Sequence, residues 1–244
     1  MIDIHKKLTP YITLKNGAKL FLNQIKRKDF GELSLRKFSH GFDISNRTAI
    51  INHLINFYSY ESYLEIGVRD LRNFDKIICK NKIGIDPSPS KFNKNIYIQS
   101  SDNFFSELNK NNKFDIIFID GLHLEDQVDR DIKNSLNHIT NNGKIIMHDC
   151  NPPTSFHQRE NYEVDGKFPP WNGTTWRSFI KNRMKNKNIE MCVVDCDWGV
   201  GIIKKGKQNL LEFEKKFSYS YLEKNRMNAL NLISVDDFLN KYNK

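Results

Sequence analysis

Three apolar runs in the chain each end on a carboxylate: Tyr63-Leu64-Glu65, Phe114-Asp115-Ile116-Ile117-Phe118-Ile119-Asp120 and Ile145-Ile146-Met147-His148-Asp149. Gly67 follows just past the first and His123 just past the second. Carboxylates ligate hard divalent cations and accept hydrogen bonds from hydroxyls, and a nearby histidine titrates where it can take a proton from a reacting oxygen. A fourth acid, Asp86, ends Ile83-Gly84-Ile85. It lies about 20 residues beyond Glu65, the spacing at which an acid accepts hydrogen bonds from ribose hydroxyls. Each residue also has an ordinary structural role open to it. A strand-end acid can cap the next helix, His123 can bond backbone at a helix start, and His148 can be a satisfied strand residue. Dinucleotide binding is disfavoured, since its fingerprint needs three glycines and only Gly67 is present.

Acids at strand ends matter because ligands of open parallel α/β sheets bind outside the carboxyl ends of the strands. Apolar runs predict seven strands, at 62–66, 82–85, 96–99, 114–119, 144–148, 189–194 and 198–204. Helical spacing predicts a leader helix over 44–58 and helices at 71–79, 103–110, 124–139 and 174–187, the last capped by Thr174. Strands and helices alternate as in βαβ units, and the short link Asp195-Cys196-Asp197 reads as a hairpin closing the sheet edge. The prolines at 152, 153, 169 and 170 bracket a long irregular loop, 151–172, with the character of a lid over an acceptor. The tail is helical in pattern, with breaks near Ser218 and Ser234. The expected organisation is an N-terminal extension over 1–42 with a short apolar stretch at Leu20-Phe21-Leu22, a main domain over 43–206, and a helical tail over 207–244 packed on it.

At 244 residues the chain suits one large domain with a sizeable core. No apolar stretch approaches the roughly 20 residues of a bilayer span, and 1–22 has no signal-peptide core, so a cytoplasmic protein is expected. Cys79, Cys150, Cys192 and Cys196 lack paired metal spacing and read as buried free thiols. The net charge of +9 suits an anionic partner. The lysines are scattered instead of forming an aromatic-interleaved stripe, so nucleic acid is not the favoured one.

In combination, Glu65-Ile66-Gly67 with Asp86, Ser101-Asp102-Asn103-Phe104-Phe105, Asp120-Gly121-Leu122-His123 and Gly143-Lys144-Ile145-Ile146-Met147-His148-Asp149 resemble class I S-adenosylmethionine-dependent methyltransferases. The Asp-Gly-x-His signature resembles the small-molecule and sugar O-methyltransferase branch, and Trp171-Asn172-Gly173-Thr174-Thr175-Trp176 is similar to members from bacterial polysaccharide clusters. The resemblance covers about residues 45–205. It implies an α/β fold, a Rossmann-like doubly wound, seven-stranded, mostly parallel sheet with an antiparallel last strand and extra helical segments at both ends. S-adenosylmethionine would be held by Glu65, Gly67, Asp86, Ser101, Asp102 and Asp120. Mg²⁺, where used, would sit on Asp120 and Asp149, with Asn151 as a third oxygen ligand. Asp120, His123 and Asp149 would be catalytic, His123 as the base. His148, Trp171 and Trp176 would face the acceptor, a sugar that in some members is nucleotide-linked. The chain departs from the pattern after Gly67, where the family has a further glycine and this sequence reads Arg69-Asp70-Leu71-Arg72. Homo-oligomerisation is left open. The rival readings are a methyltransferase of another small molecule or of RNA, and a non-catalytic protein of the same fold.

Overall fold

The computed structural model of the protein describes residues 46–213 and 217–243. The expected extension over 1–42 lies outside them. Eight strands form one sheet: β1 (Ser62–Ile66), β2 (Asn81–Ile85), β3 (Ile96–Tyr97), β4 (Phe114–Ile119), β5 (Ile139–Met147), β6 (Ile189–Val194), β7 (Val200–Lys205) and β8 (Leu232–Ile233). Their spatial order is β3-β2-β1-β4-β5-β7-β6-β8. The first five pair in parallel, β7 runs antiparallel to both β5 and β6, and β8 lies parallel to β6. This is the expected Rossmann-like doubly wound α/β fold, with an eighth short strand from the tail. The hairpin at 195–197 forms, but β7 inserts between β5 and β6, so β8 and not the hairpin borders that edge. A turn fixes which strands are neighbours, not which of the two meets the rest of the sheet.

Near-continuous apolar strands are those covered on both faces, and side chains alternate between the faces. In β4, Ile117 and Ile119 join one buried cluster while Ile116 and Phe118 join the other. On the first face lie α3 (Glu125–His138), through Val128 and Ile132, and α4 (Thr175–Lys185), through Trp176, Phe179 and Ile180. Leu222 and Leu230 of α5 (Tyr219–Leu230) join them. The second face is covered by α1 (Arg47–Tyr58) and α6 (Val235–Lys241). A short helix, α2 (Ser101–Glu107), leads into β4. The expected breaks at Ser218 and Ser234 are helix caps: each hydroxyl accepts from the amide three residues on, Tyr221 and Asp237 respectively. All four cysteines are free and buried, as expected. Among the described residues no helix is long and apolar enough to cross a membrane.

One expected helix is absent. Over 71–79 only a 3-10 turn, Phe74–Lys76, forms. Lys82 Nζ takes the carbonyls of Phe74 and Ile77, and the Asn52 amide bridges Lys76 O and Ile78 N. Side chains thus satisfy backbone groups that a helix would have paired internally.

The parallel strands end level. Ile66 is paired with both Ile85 and Ile119, and Ile119 with Met147. The ladder runs one step further through Gly67 N to Ile85 O, Asp120 N to Ile66 O and His148 N to Ile119 O, at 2.8, 2.9 and 3.1 Å. Residues just past these ends therefore emerge side by side at the switch point between β1 and β4, where such sheets bind ligands.

Candidate active site

Asp120 follows β4, His148 and Asp149 follow β5, and His123 sits on the loop before α3. His123 Nε2 lies 3.3 Å from Asp120 Oδ1, and its Nδ1 lies 3.1 Å from Asp149 Oδ2. His148 Nδ1 is 3.2 Å from Asp120 Oδ1 and 3.1 Å from Asp149 Oδ2. Ligand atoms of Asp120, His123 and Asp149 fall within 4.8 Å of one another, close enough to share one ion. Asp149 is buried and left-handed at φ +58°, a conformation that persists in a non-glycine only when its surroundings hold it. They do so here through Asn172, whose Nδ2 donates to Asp149 Oδ1 at 2.8 Å, and through the Cys150 and Asn151 amides, which donate to Gly199 O and Trp198 O.

The charges are interdependent. Burial opposes ionisation of Asp120, but His148, His123 and Arg47 outweigh it and hold the carboxyl well below the ordinary range. Burial likewise opposes charge on both histidines, yet Asp149 and Asp120 raise His123 above 6.5 and His148 well above it.

Two contributors were not apparent from sequence. Arg47, at the start of α1, places Nε 3.6 Å from Asp120 Oδ2 and NH1 3.0 Å from Asp197 Oδ2. Asp197, in the β6–β7 turn, also accepts the Arg47 amide at 2.9 Å and lies 3.4 Å from His148 Nε2. Burial raises its pKa, but His148 and Arg47 bring it down to about 2. The sequence spacing to Arg47, 150 residues, leaves no local signal.

Other expected site residues fall elsewhere. Asn151 does not face the cluster: its Nδ2 donates to Asp195 at 2.8 Å and its oxygen accepts from the Arg226 guanidinium, which repels a cation. Trp176 is wholly buried and donates to Gln158, so it belongs to the core and offers no open face. His148 is 7% exposed and likewise faces the carboxylates more than any open space. Trp171 does reach the site, stacked on His123 with ring centroids 5.0 Å apart and planes at 20°. Thr174 stands at the α4 N-terminus but does not cap it; its hydroxyl accepts from Glu125 N, the first residue of α3, at 2.7 Å.

On the β1–β2 side, Gly67, Arg69 and Leu71 have φ of +89°, +44° and +66°. The loop thus has glycine-like backbone at alternate positions although two of the three residues are not glycine. Asp86 fixes it by accepting Arg69 N at 2.8 Å, with its other oxygen on Ser88 N. Gly67 is obligatory, since a Cβ there would meet Asp120 O at 2.3 Å. Glu65 is buried and accepts from Tyr63 and Asn73; burial raises it to about 8, partly offset by those two donors. Ser101 donates to Asp131 at 2.6 Å and Asp102 pairs with Arg130 at 3.0 Å, so both engage α3 and neither contacts the carboxylate cluster.

Residues 72–150 match a family model described as a methyltransferase domain. The fold is similar to that of the Podospora anserina methyltransferase PaMTH1 solved with SAH: TM-score 0.50, 16% identity, 70% of this chain and 83% of that one covered. An O-methyltransferase from Bacillus cereus in complex with SAH aligns at TM-score 0.46 and 13% identity over 83% of this chain and 98% of its own. MycE from the mycinamycin pathway, in complex with Mg, SAH and mycinamycin VI, aligns at 0.44 and 16% over 77% and 57%. No curated protein matches the chain. The chain therefore has a doubly wound fold similar to that of PaMTH1, and residues 72–150 of it match a methyltransferase-domain model.

Proposed function

We propose that the protein is an S-adenosylmethionine-dependent O-methyltransferase acting in the cytoplasm on a hydroxyl of a sugar, nucleotide-linked or destined for a surface polysaccharide. The observation that carries this reading is His123, held between the strand-end carboxylates Asp120 and Asp149 beside the parallel-sheet switch point. The Gly67–Leu71 backbone, ordered by Asp86, would hold the cofactor, with Asp86 lone pairs left for ribose hydroxyls; Glu65, Ser101 and Asp102 keep the supporting roles described above. The cofactor supplies an electrophilic methyl group when bound. A divalent cation on Asp120 and Asp149 would lower the pKa of an acceptor hydroxyl.

His123 accepts the hydroxyl proton, and Asp120 and Asp149 orient its ring and stabilise the imidazolium formed. Trp171 fixes the ring from one side. Tyr162 and Phe168 stack on one another at 5.3 Å, both more than half exposed, and Tyr162 also meets Trp171 at 5.8 Å. Such a run of aromatic faces beside the base suits the apolar face of a sugar ring. The net charge of +9 suits an anionic acceptor.

Calorimetry with S-adenosylmethionine and S-adenosylhomocysteine, followed by turnover on sugar nucleotides, tests the reading. His123→Ala should bind cofactor normally and lose roughly 10²–10⁴-fold in turnover. Unchanged turnover removes His123 from the mechanism, and absence of cofactor binding by folded protein refutes the reading.

A further inference from the structure

The donors around the two carboxylates do not suit Mg²⁺, which prefers an all-oxygen shell and keeps several waters. The amide oxygen expected to complete such a shell, that of Asn151, is occupied by Arg226. What meets the carboxylates instead is imidazole. His148 Nδ1 stands 3.2 Å from Asp120 Oδ1 and 3.1 Å from Asp149 Oδ2. Neighbouring donors of one ion at about 2.1 Å lie about 3 Å apart, so these separations, which a hydrogen bond also spans, fit ligands sharing a cation.

The other nitrogen of His148 decides its role. A metal-bound histidine usually donates its second N–H to a carboxylate, which fixes the tautomer and ring orientation. His148 Nε2 lies 3.4 Å from Asp197 Oδ1, and Asp197 is itself held by the Arg47 amide at 2.9 Å and by Arg47 NH1 at 3.0 Å. Arg47 Nη1 lies 3.1 Å from the same nitrogen and also donates to both Asp197 oxygens, at 3.2 and 3.0 Å, so it holds the ring and the carboxylate together. His123 has no such outer partner: each of its nitrogens faces a carboxylate of the site itself, which leaves it for proton transfer.

We propose that Asp120, Asp149 and His148 form a mixed oxygen–nitrogen centre, oriented from outside by Asp197, that selects a borderline divalent transition ion such as Mn²⁺, Fe²⁺ or Co²⁺ over Mg²⁺. The inference rests on the methyl-transfer site proposed above and changes both its third ligand and its metal class. Imidazole donors favour such ions, whereas carboxylate and water suit Mg²⁺.

The test is metal binding, independent of turnover. Protein stripped with chelator is loaded with Mn²⁺ and read by pulsed electron paramagnetic resonance, which detects nitrogen bound to the ion, and Mg²⁺ is titrated against Co²⁺. Imidazole nitrogen coupling is expected, kept in His123→Ala and lost in His148→Asp, with Co²⁺ selectivity reduced in the latter. Asp197→Asn should weaken Mn²⁺ binding roughly 10- to 100-fold. Mn²⁺ bound without nitrogen coupling, coupling unchanged in folded His148→Asp, or no cation uptake overturns the proposal. Should His148→Asp fail to fold, Asp197→Asn decides, and unaltered Mn²⁺ affinity counts against it. S-adenosylhomocysteine calorimetry on the same sample separates the two claims. Cofactor binding without a nitrogen-ligated ion sinks only this inference, whereas a nitrogen-ligated ion without cofactor binding sinks only the methyltransferase reading.

Discussion

Gly173 ties the loop over the site to the base, and replacing it by alanine is expected to cost far more than an ordinary surface change. The residue is left-handed at φ +60°, and an added Cβ would meet His123 O at 2.0 Å and His123 Cβ at 2.7 Å. Contacts under 3.0 Å are not tolerated. His123 and Gly173 must therefore separate by about 1 Å in a close-packed interior. That movement strains the Thr174 N to His123 O hydrogen bond, 2.7 Å, and the neighbouring Asn172 to Asp149 bond, 2.8 Å. A left-handed alanine costs about 1–2 kcal/mol. Overpacking adds about 1–3 kcal/mol, for a total of about 2–5 kcal/mol. At about 2–4 °C per kcal/mol for a domain of this size, Tm falls by about 4–20 °C. Gly166→Ala is the matched control. Its φ is +68°, but nothing lies within 4 Å of the added Cβ, so only the backbone cost applies, about 2–8 °C. Thermal denaturation of both variants by circular dichroism measures the difference. If Gly173→Ala melts no lower than Gly166→Ala, the packing of Gly173 on His123 is not as described.

Three further outcomes can be checked. Arg69→Gly relieves a left-handed arginine while keeping the amide that Asp86 accepts, so net stability should rise by about 0.5–1 kcal/mol and Tm with it; a fall would refute the strained-loop account. Glu65 is raised by burial from 4.5 to about 8, so the folded state keeps a proton that the unfolded chain has released between those values. Stability from this group is thus present below pH 4.5 and lost as pH rises through 8. Urea unfolding across that range should show Glu65→Gln with a flatter pH slope than the parent, and identical slopes would show that Glu65 is not protonated in the fold. Because Asp149 and Asp120 raise the proton affinity of His123 despite its burial, the base form is populated above the ordinary histidine range. Turnover on an accepted sugar should therefore climb as pH rises past 6.5, and a profile falling over that interval would exclude His123 as base.

Much of the sheet and half of the site were readable from local pattern. Near-continuous apolar runs give β1, β4 and β6 to the residue, because burial on both faces of the sheet demands mostly apolar side chains on both. Acids and histidines directly after such runs must emerge at the strand ends, which is why Asp120, His123 and Asp149 meet. The helix expected over 71–79 fails because Asn52 and Lys82 take its backbone partners, and a window of residues cannot show a competitor from another element. The glycine-poor loop after Gly67 keeps its turns because Asp86 holds the Arg69 amide, a contact 17 residues away.

Covalent order thus settles which residues leave the strands and on which face of the sheet each apolar side chain lies, since the period of a strand is a property of its own backbone. The company kept by those residues is settled only in three dimensions. Arg47 meets His148 and Asp197 across 101 and 150 residues of chain, Asn151 turns to Arg226 instead of an ion, and Trp176 is buried while Trp171 reaches the base. Each of these outcomes depends on how α1, α5 and the β6–β7 turn pack onto the sheet, and a buried charge or amide takes whichever partner that packing brings within reach.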